Sequence, residues 1–138
     1  MNKTTQTIIE TIKTAQWISD KMNEVLKIHG LSEQQFNVLR ILRGANKGPL
    51  SVQDIGARMI TKNSNVTRLI DKLLERDLVK RKECSTNRRK MDIVITAAGL
   101  GLLNIVDPAI EDLNNYFSQQ LSPPEFEQLH QLLTKIKS

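Results

Sequence analysis

A chain of 138 residues with 4% aromatics is one domain by size, spanning residues 1–138, and long enough to bury a core built mostly of Leu, Ile and Val. One cysteine excludes an intramolecular disulfide, and neither an apolar leader in Met1-Asn2-Lys3-Thr4-Thr5-Gln6 nor any run approaching the ~20 apolar residues of a bilayer span is present, so a cytoplasmic protein without a membrane partner is expected. The net charge of +5 is unevenly placed: residues 58–90 hold 11 Lys/Arg against 4 Asp/Glu, while the rest of the chain holds 9 against 11. Such a concentration is the footprint of a phosphate-binding surface; the competing reading is a solvated basic face.

In chain order, Ile8, Ile12, Ala15, Met22 and Leu26, with Ile9 and Val25, predict a long first helix over residues 4–28, ended by His29-Gly30. Leu31-Ser32-Glu33-Gln34-Gln35-Phe36 opens a second helix over 33–45. Ser32 is the N-cap, Gln35 its reciprocal partner, and Leu31 staples to Phe36. Gly44 and Gly48-Pro49 break the chain. The same grammar recurs at Leu50-Ser51-Val52-Gln53-Asp54-Ile55, predicting a short helix over 51–59. A second short helix is predicted over 63–76, opened by Thr61-Lys62-Asn63-Ser64-Asn65, with Val66, Leu69, Ile70, Leu73 and Leu74 as its core stripe. Residues 78–83 and 91–95 predict the strands of a hairpin: Met91, Ile93 and Ile95 alternate with Asp92 and Val94, and the tip contains Arg88-Arg89-Lys90. A long helix follows over 97–120, weakened or kinked by Gly99, Gly101 and Pro108. The last, over 123–135, starts at Leu121-Ser122-Pro123-Pro124-Glu125-Phe126, with Pro123 at the favoured first position.

Two short helices followed by a basic hairpin is the order of a winged helix-turn-helix. The expected fold is therefore mainly α with a small β-hairpin wing. Its DNA-binding module would span 31–96, flanked by dimerisation helices at 4–29 and 97–137. In such a module the second helix enters a major groove, and the wing reaches backbone or minor groove beside it. The expected DNA contacts are Lys62, Asn63, Ser64, Asn65, Thr67, Arg68 and Lys72 on the helix, and Arg88, Arg89 and Lys90 on the wing. Asn pairs bidentately with adenine and Arg with guanine, and small hydroxyl side chains allow close approach to phosphates. A plain N-cap is the competing reading of Asn63 or Ser64. The two ends carry more apolar stripe than the module needs, which predicts a symmetric homodimer; the rival is a monomer with both ends folded back.

Val66-Thr67-Arg68-Leu69-Ile70-Asp71-Lys72-Leu73, followed by Leu78-Val79-Lys80-Arg81, resembles the recognition helix and first wing strand of the MarR (multiple antibiotic resistance regulator) family. Arg88-Arg89-Lys90 leading to Ile95-Thr96-Ala97-Ala98-Gly99 is similar to that family's wing closing on Leu-Thr-x-x-Gly. Leu31-Ser32-x-x-Gln35-Phe36-x-Val38-Leu39 resembles its second helix. The resemblance spans residues 5–137. It implies a dimeric, ligand- or redox-responsive bacterial transcription factor, usually a repressor, with the terminal helices as its dimer interface. Cys84 and Thr86 stand where the family's wing has Asp-x-Arg, and Ile60 and Asp77 where it often has glycine.

Cys84 is a candidate redox sensor, with Lys82, Arg88 and Arg89 near it in sequence to favour a thiolate; an inert strand-end cysteine is the alternative. Candidates for an effector pocket between the dimer helices and the module are Trp17, Met22, His29, Phe36 and Arg40, with ordinary packing as the rival for each. Two histidines, His29 and His130, and one cysteine predict no metal site and no cofactor. No paired histidines, Gly-rich phosphate loop or nucleophile–base pair supports an enzyme. The expected function is a sequence-specific DNA-binding regulator, a repressor in the first instance. It would bind a pseudo-palindromic operator as a homodimer and be released by a small effector. The alternative is a winged-helix protein-interaction module without sequence-specific DNA binding.

Overall fold

The computed structural model describes residues 1–45, 48–62, 64–83 and 91–138. Among these the elements run α1 (Lys3–Lys27), α2 (Glu33–Gly44), β1 (Leu50–Ser51), α3 (Val52–Arg58), α4 (Val66–Glu75), β2 (Val79–Glu83), β3 (Met91–Ile95), α5 (Ala97–Ser118) and α6 (Pro123–Ile136). The strands form one antiparallel sheet in the order β1-β3-β2. Among the described residues no helix is long and apolar enough to cross a membrane.

Local chemistry accounts for the helix boundaries. Ser32 with Gln35, Ser51 with Asp54 and Ser122 with Glu125 each close a reciprocal capping box. Leu31, Phe36, Leu50 and Ile55, the apolar partners across the first two boxes, are all buried. α1 stops at Gly30, held left-handed at φ 70°. The N–H groups of Gly30 and Leu31 donate back to the carbonyls of Lys27 and Leu26 at 3.0 and 3.2 Å. This double closure is the usual end of a helix at a left-handed residue.

Several boundaries differ from the sequence reading. The second module helix begins at Val66 and not at 63. Asn65 is its cap, with Oδ1 accepting the Arg68 N–H at 3.1 Å, and the Ser64 hydroxyl donates to the Thr61 carbonyl at 2.8 Å. Such local side-chain bonds compete with helix and hold the preceding residues out of it. β1 is a third strand that the sequence does not announce. It pairs Leu50 with Ile93 and Ser51 with Asp92, and two residues are too few to show alternation. α5 is continuous through Pro108, without a break. Pro108 and Asn104, whose carbonyl loses its amide partner there, are both exposed, so water can take that bond.

The core is assembled by the middle of the chain. Phe36, Val38, Leu39 and Leu42 of α2 pack with Ile55, Met59, Val66, Ile70 and Leu73 and with Val79, Ile93 and Ile95 of the sheet. From the terminal helices only Leu26, Leu103 and Val106 join as fully buried apolar side chains. Asn37 is buried among them, and its Oδ1 accepts the Ile60 N–H at 3.0 Å, fixing the link from α3 to α4. Arg43 on α2 pairs with Asp107 on α5 at 2.8 Å.

The Ile95–Gly99 segment is a joint. Thr96 caps α5 and donates its hydroxyl to the Asp77 carbonyl at 2.6 Å, while its N–H donates to Leu78. A Cβ at Gly99 would lie 2.3 Å from the Leu78 carbonyl oxygen. Only glycine lets the first turn of α5 sit this close to the backbone leaving α4.

Candidate nucleic-acid interface

The outer face of α4 is built by periodicity. Val66, Ile70 and Leu73 are buried and Leu69 and Leu74 half-buried, which leaves Thr67, Arg68, Asp71, Lys72 and Glu75 exposed on the other side. Asp71, the acid between the two cations, accepts from Arg81 Nη2 at 2.8 Å. That pair ties α4 to β2 and cancels the negative charge between Arg68 and Lys72. β2 is an edge strand and carries the exposed Lys80 and Lys82 beside the helix. Charged edge strands also block unwanted pairing with other chains, so this charge has a structural use as well.

Between α4 and the first turn of α2 lies a groove of about 330 Å³ lined by Ser32, Gln34, Gln35, Asn65, Arg68, Leu69 and Lys72. The capping box engages Ser32 and Gln35, and Gln34 and the Asn65 amide nitrogen line the groove outside it. The N-terminal end of α2 adds its partial positive charge to the same wall. The sequence reading missed this contribution. Its one signal, the box at Ser32, reads as helix punctuation and not as half of a groove.

Of the DNA-contact candidates, Thr67, Arg68 and Lys72 share the exposed face. Lys62 Nζ donates to the Ala57 carbonyl in the last turn of α3, at 2.5 Å. Asn65 gives its side-chain oxygen to the cap, so a bidentate adenine pair at this residue would break the cap. Ser64 is turned to the Thr61 carbonyl. Arg76, within the basic segment, is exposed but has its guanidinium turned to the carbonyls of Gly30 and His29, to which it donates. Asn63, Cys84, Arg88, Arg89 and Lys90 lie outside the described residues.

Of the effector candidates, Phe36 and Arg40 are neighbours and Met22 packs against the same core, while Trp17 lies elsewhere on α1. Phe36 is a core residue, 2% exposed, with the Arg40 guanidinium 5.6 Å from its ring centre. Met22 is half-buried against the core. His29 contributes its backbone carbonyl to Arg76. Trp17, 43% exposed, packs edge-on to Phe117 at 5.6 Å and lies beneath Lys21. It lines a surface groove with Glu10, Lys13 and Thr14 that includes none of the other four candidates. A larger groove of about 540 Å³ runs between α1 and α6, mostly apolar, with Ala15 and Ile18 facing Leu129, Leu133 and Ile136. Thr7, Thr11 and Thr14 also border it, and each donates its hydroxyl to the carbonyl four residues back, so none needs a partner across the groove. Among the described residues no group of three His, Cys, Asp or Glu is placed to hold a metal ion.

A short helix pair, a second helix with its basic face outward, and a small sheet with a basic edge strand define a winged helix-turn-helix protein. The MarR family model matches residues 31–91. The chain is 33% identical over 119 residues to the HTH-type transcriptional regulator MhqR of Bacillus subtilis (strain 168), covering 86% of this chain and 81% of that protein. It is 26% identical over 119 residues to the transcriptional repressor MprA of Escherichia coli (strain K12), covering 86% and 68%. MepR of S. aureus, solved as a complex with DNA, shares the fold with a TM-score of 0.81 at 20% identity, over 99% of this chain and 96% of that one. The chain belongs to the MarR family of transcriptional regulators.

Proposed function

We propose that the protein is a homodimeric repressor that reads a pseudo-palindromic operator with α4. The observation that carries this reading is the outward face of α4, where Arg68 and Lys72 stand one turn apart and the intervening acid is paired with Arg81. Family membership supports it, as does the DNA complex of MepR, a protein of the same fold. In this reading Arg68 and Thr67 read base edges, and Lys72 and Lys80 hold phosphates. Gln34 and the α2 N-terminus face the same strand. Lys62, Ser64 and Asn65 act from the link before α4, and Asn63 with them. Arg88, Arg89 and Lys90 extend the contact from the wing. Residues 31–96 form the module, and 4–29 with 97–137 form the dimer helices.

Dimerisation rests on apolar side chains that the described residues leave uncovered. Ile8, Ile12, Leu129, Leu132, Leu133 and Ile136 are all exposed. A second copy covers them and sets the two α4 helices about 34 Å apart, one turn of DNA. A small effector would release the operator only by binding differently to two spacings of those helices. The place of action is the bacterial cytoplasm, where the DNA is.

The test is selection of genomic fragments by the purified protein, with bound pools sequenced at low and moderate salt. A pseudo-palindrome that survives the salt increase is expected. Binding that disappears with salt and enriches nothing would overturn the reading and leave a protein-docking module in its place. Arg68→Ala should relax base discrimination by about 1–3 kcal/mol, whereas Arg89→Ala should weaken all DNA alike and lower the salt slope by about one.

A further inference from the structure

α1 and α4 end in the same way, and one arginine joins the two ends. α1 closes through Gly30 as described. α4 closes through Asp77, left-handed at φ 57°, with the N–H groups of Asp77 and Leu78 donating to Leu74 and Leu73 at 3.0 Å each. Arg76 is the cap residue of α4. Its guanidinium donates from Nη1 to the Gly30 carbonyl at 2.9 Å and from Nη2 to the His29 carbonyl at 3.2 Å, across a sequence gap of 46 and 47 residues. The fit is close: a Cβ added to Gly30 would lie 3.3 Å from Arg76 Nη1. A rigid planar fork spans two successive carbonyls in this manner, and a lysine ammonium does not.

The two helices joined here have different surfaces. α1 carries the uncovered apolar residues Ile8 and Ile12, and α4 carries Arg68 and Lys72. We infer that Arg76 is a positioning residue for DNA reading: it fixes the C-terminal end of α4 to the end of α1 and raises operator specificity without touching a phosphate. The inference rests on the proposed reading of DNA by α4. An exposed arginine in a basic segment has an obvious rival role, direct phosphate contact. The two roles differ in salt behaviour, because losing one phosphate contact lowers the salt slope by about one.

The experiment compares the full chain with Arg76→Ala and Arg76→Lys, on an operator fragment recovered by selection and on a scrambled fragment of equal length, across a salt series. Arg76 is exposed, so neither substitution opens a cavity. In Arg76→Ala the operator-to-scrambled affinity ratio is expected to fall about three- to tenfold, with the salt slope unchanged, and Arg76→Lys does not restore the ratio. A slope lower by about one overturns the inference whatever the ratio does, and so does an unchanged ratio. Hydrogen exchange of the Gly30 and Leu31 amides gives a reading independent of DNA. Both are expected to exchange several-fold faster in Arg76→Ala, while the Glu125 amide in the α6 cap is unaffected. Unchanged exchange at Gly30 and Leu31 overturns the tie even if the wild-type chain selects no operator, so failure of the tie and failure of the DNA reading are separate results.

Discussion

The middle of this chain and its two ends have similar apolar periodicity and opposite fates. Apart from Leu26, Leu103 and Val106, every fully buried apolar side chain described lies between residues 31 and 95. α6 buries none completely, and most of α1 is exposed. Both regions have amphipathic helices with well-formed caps. The difference teaches that an apolar stripe announces burial somewhere, and that only the path of the chain says against what. The module finds its partners within itself. α6 and the N-terminal half of α1 keep their apolar residues outward, while α5 and the last turns of α1 pack theirs on the module.

The comparison breaks first at paired substitutions. Ile70→Ala, in the core, should cost about 2–5 kcal/mol in urea unfolding. Leu132→Asp, at a residue 55% exposed in the single chain, should weaken self-association about a hundredfold by sedimentation and leave hydrogen-exchange protection at Ile70 in place. Loss of that protection in Leu132→Asp would mean that the ends are part of the module core after all.

Two glycines two residues apart, Gly99 and Gly101, sharpen it at the boundary. Gly99→Ala forces a Cβ against the Leu78 carbonyl and should destabilise by about 1–3 kcal/mol. Gly101→Ala meets nothing within 4 Å and should stabilise by about 0.5–1 kcal/mol, read as opposite shifts of the urea midpoint. Asp77→Gly removes the side chain from a left-handed backbone and should stabilise by about 0.5–1 kcal/mol in the same assay.

The smallest effect belongs to the far end. The Ser122 backbone N–H, and then its side chain, hold the Glu125 carboxylate below its usual range. A lowered value means that this cap stabilises α6 above the ordinary carboxylate range, and that the stabilisation is lost as pH falls through the lowered value. Protection of the Ser122 amide, followed by NMR, should disappear over that acid interval, with the module amides unmoved.

What the sequence by itself determined is local. Caps at Ser32, Ser51 and Ser122 depend on contacts three residues away, so they are readable in a window of six. The buried stripe of α4 is readable from its own periodicity, and so is the Thr96 cap on the Gly99 N–H, whereas the seating of that cap on Asp77 and Leu78 is not. Tertiary structure decided whatever depends on chain segments returning to one another: β1 on β3, Asn37 holding Ile60, Asp71 neutralised by Arg81, and Arg76 turned to Gly30. It also decided which cations face outward, because a lysine or arginine reads the same in sequence whether its partner is solvent, a phosphate or a carbonyl 46 residues away. Side-chain reach makes the difference: a cap is satisfied within its own turn, whereas a long cation can take any acceptor that the fold brings near.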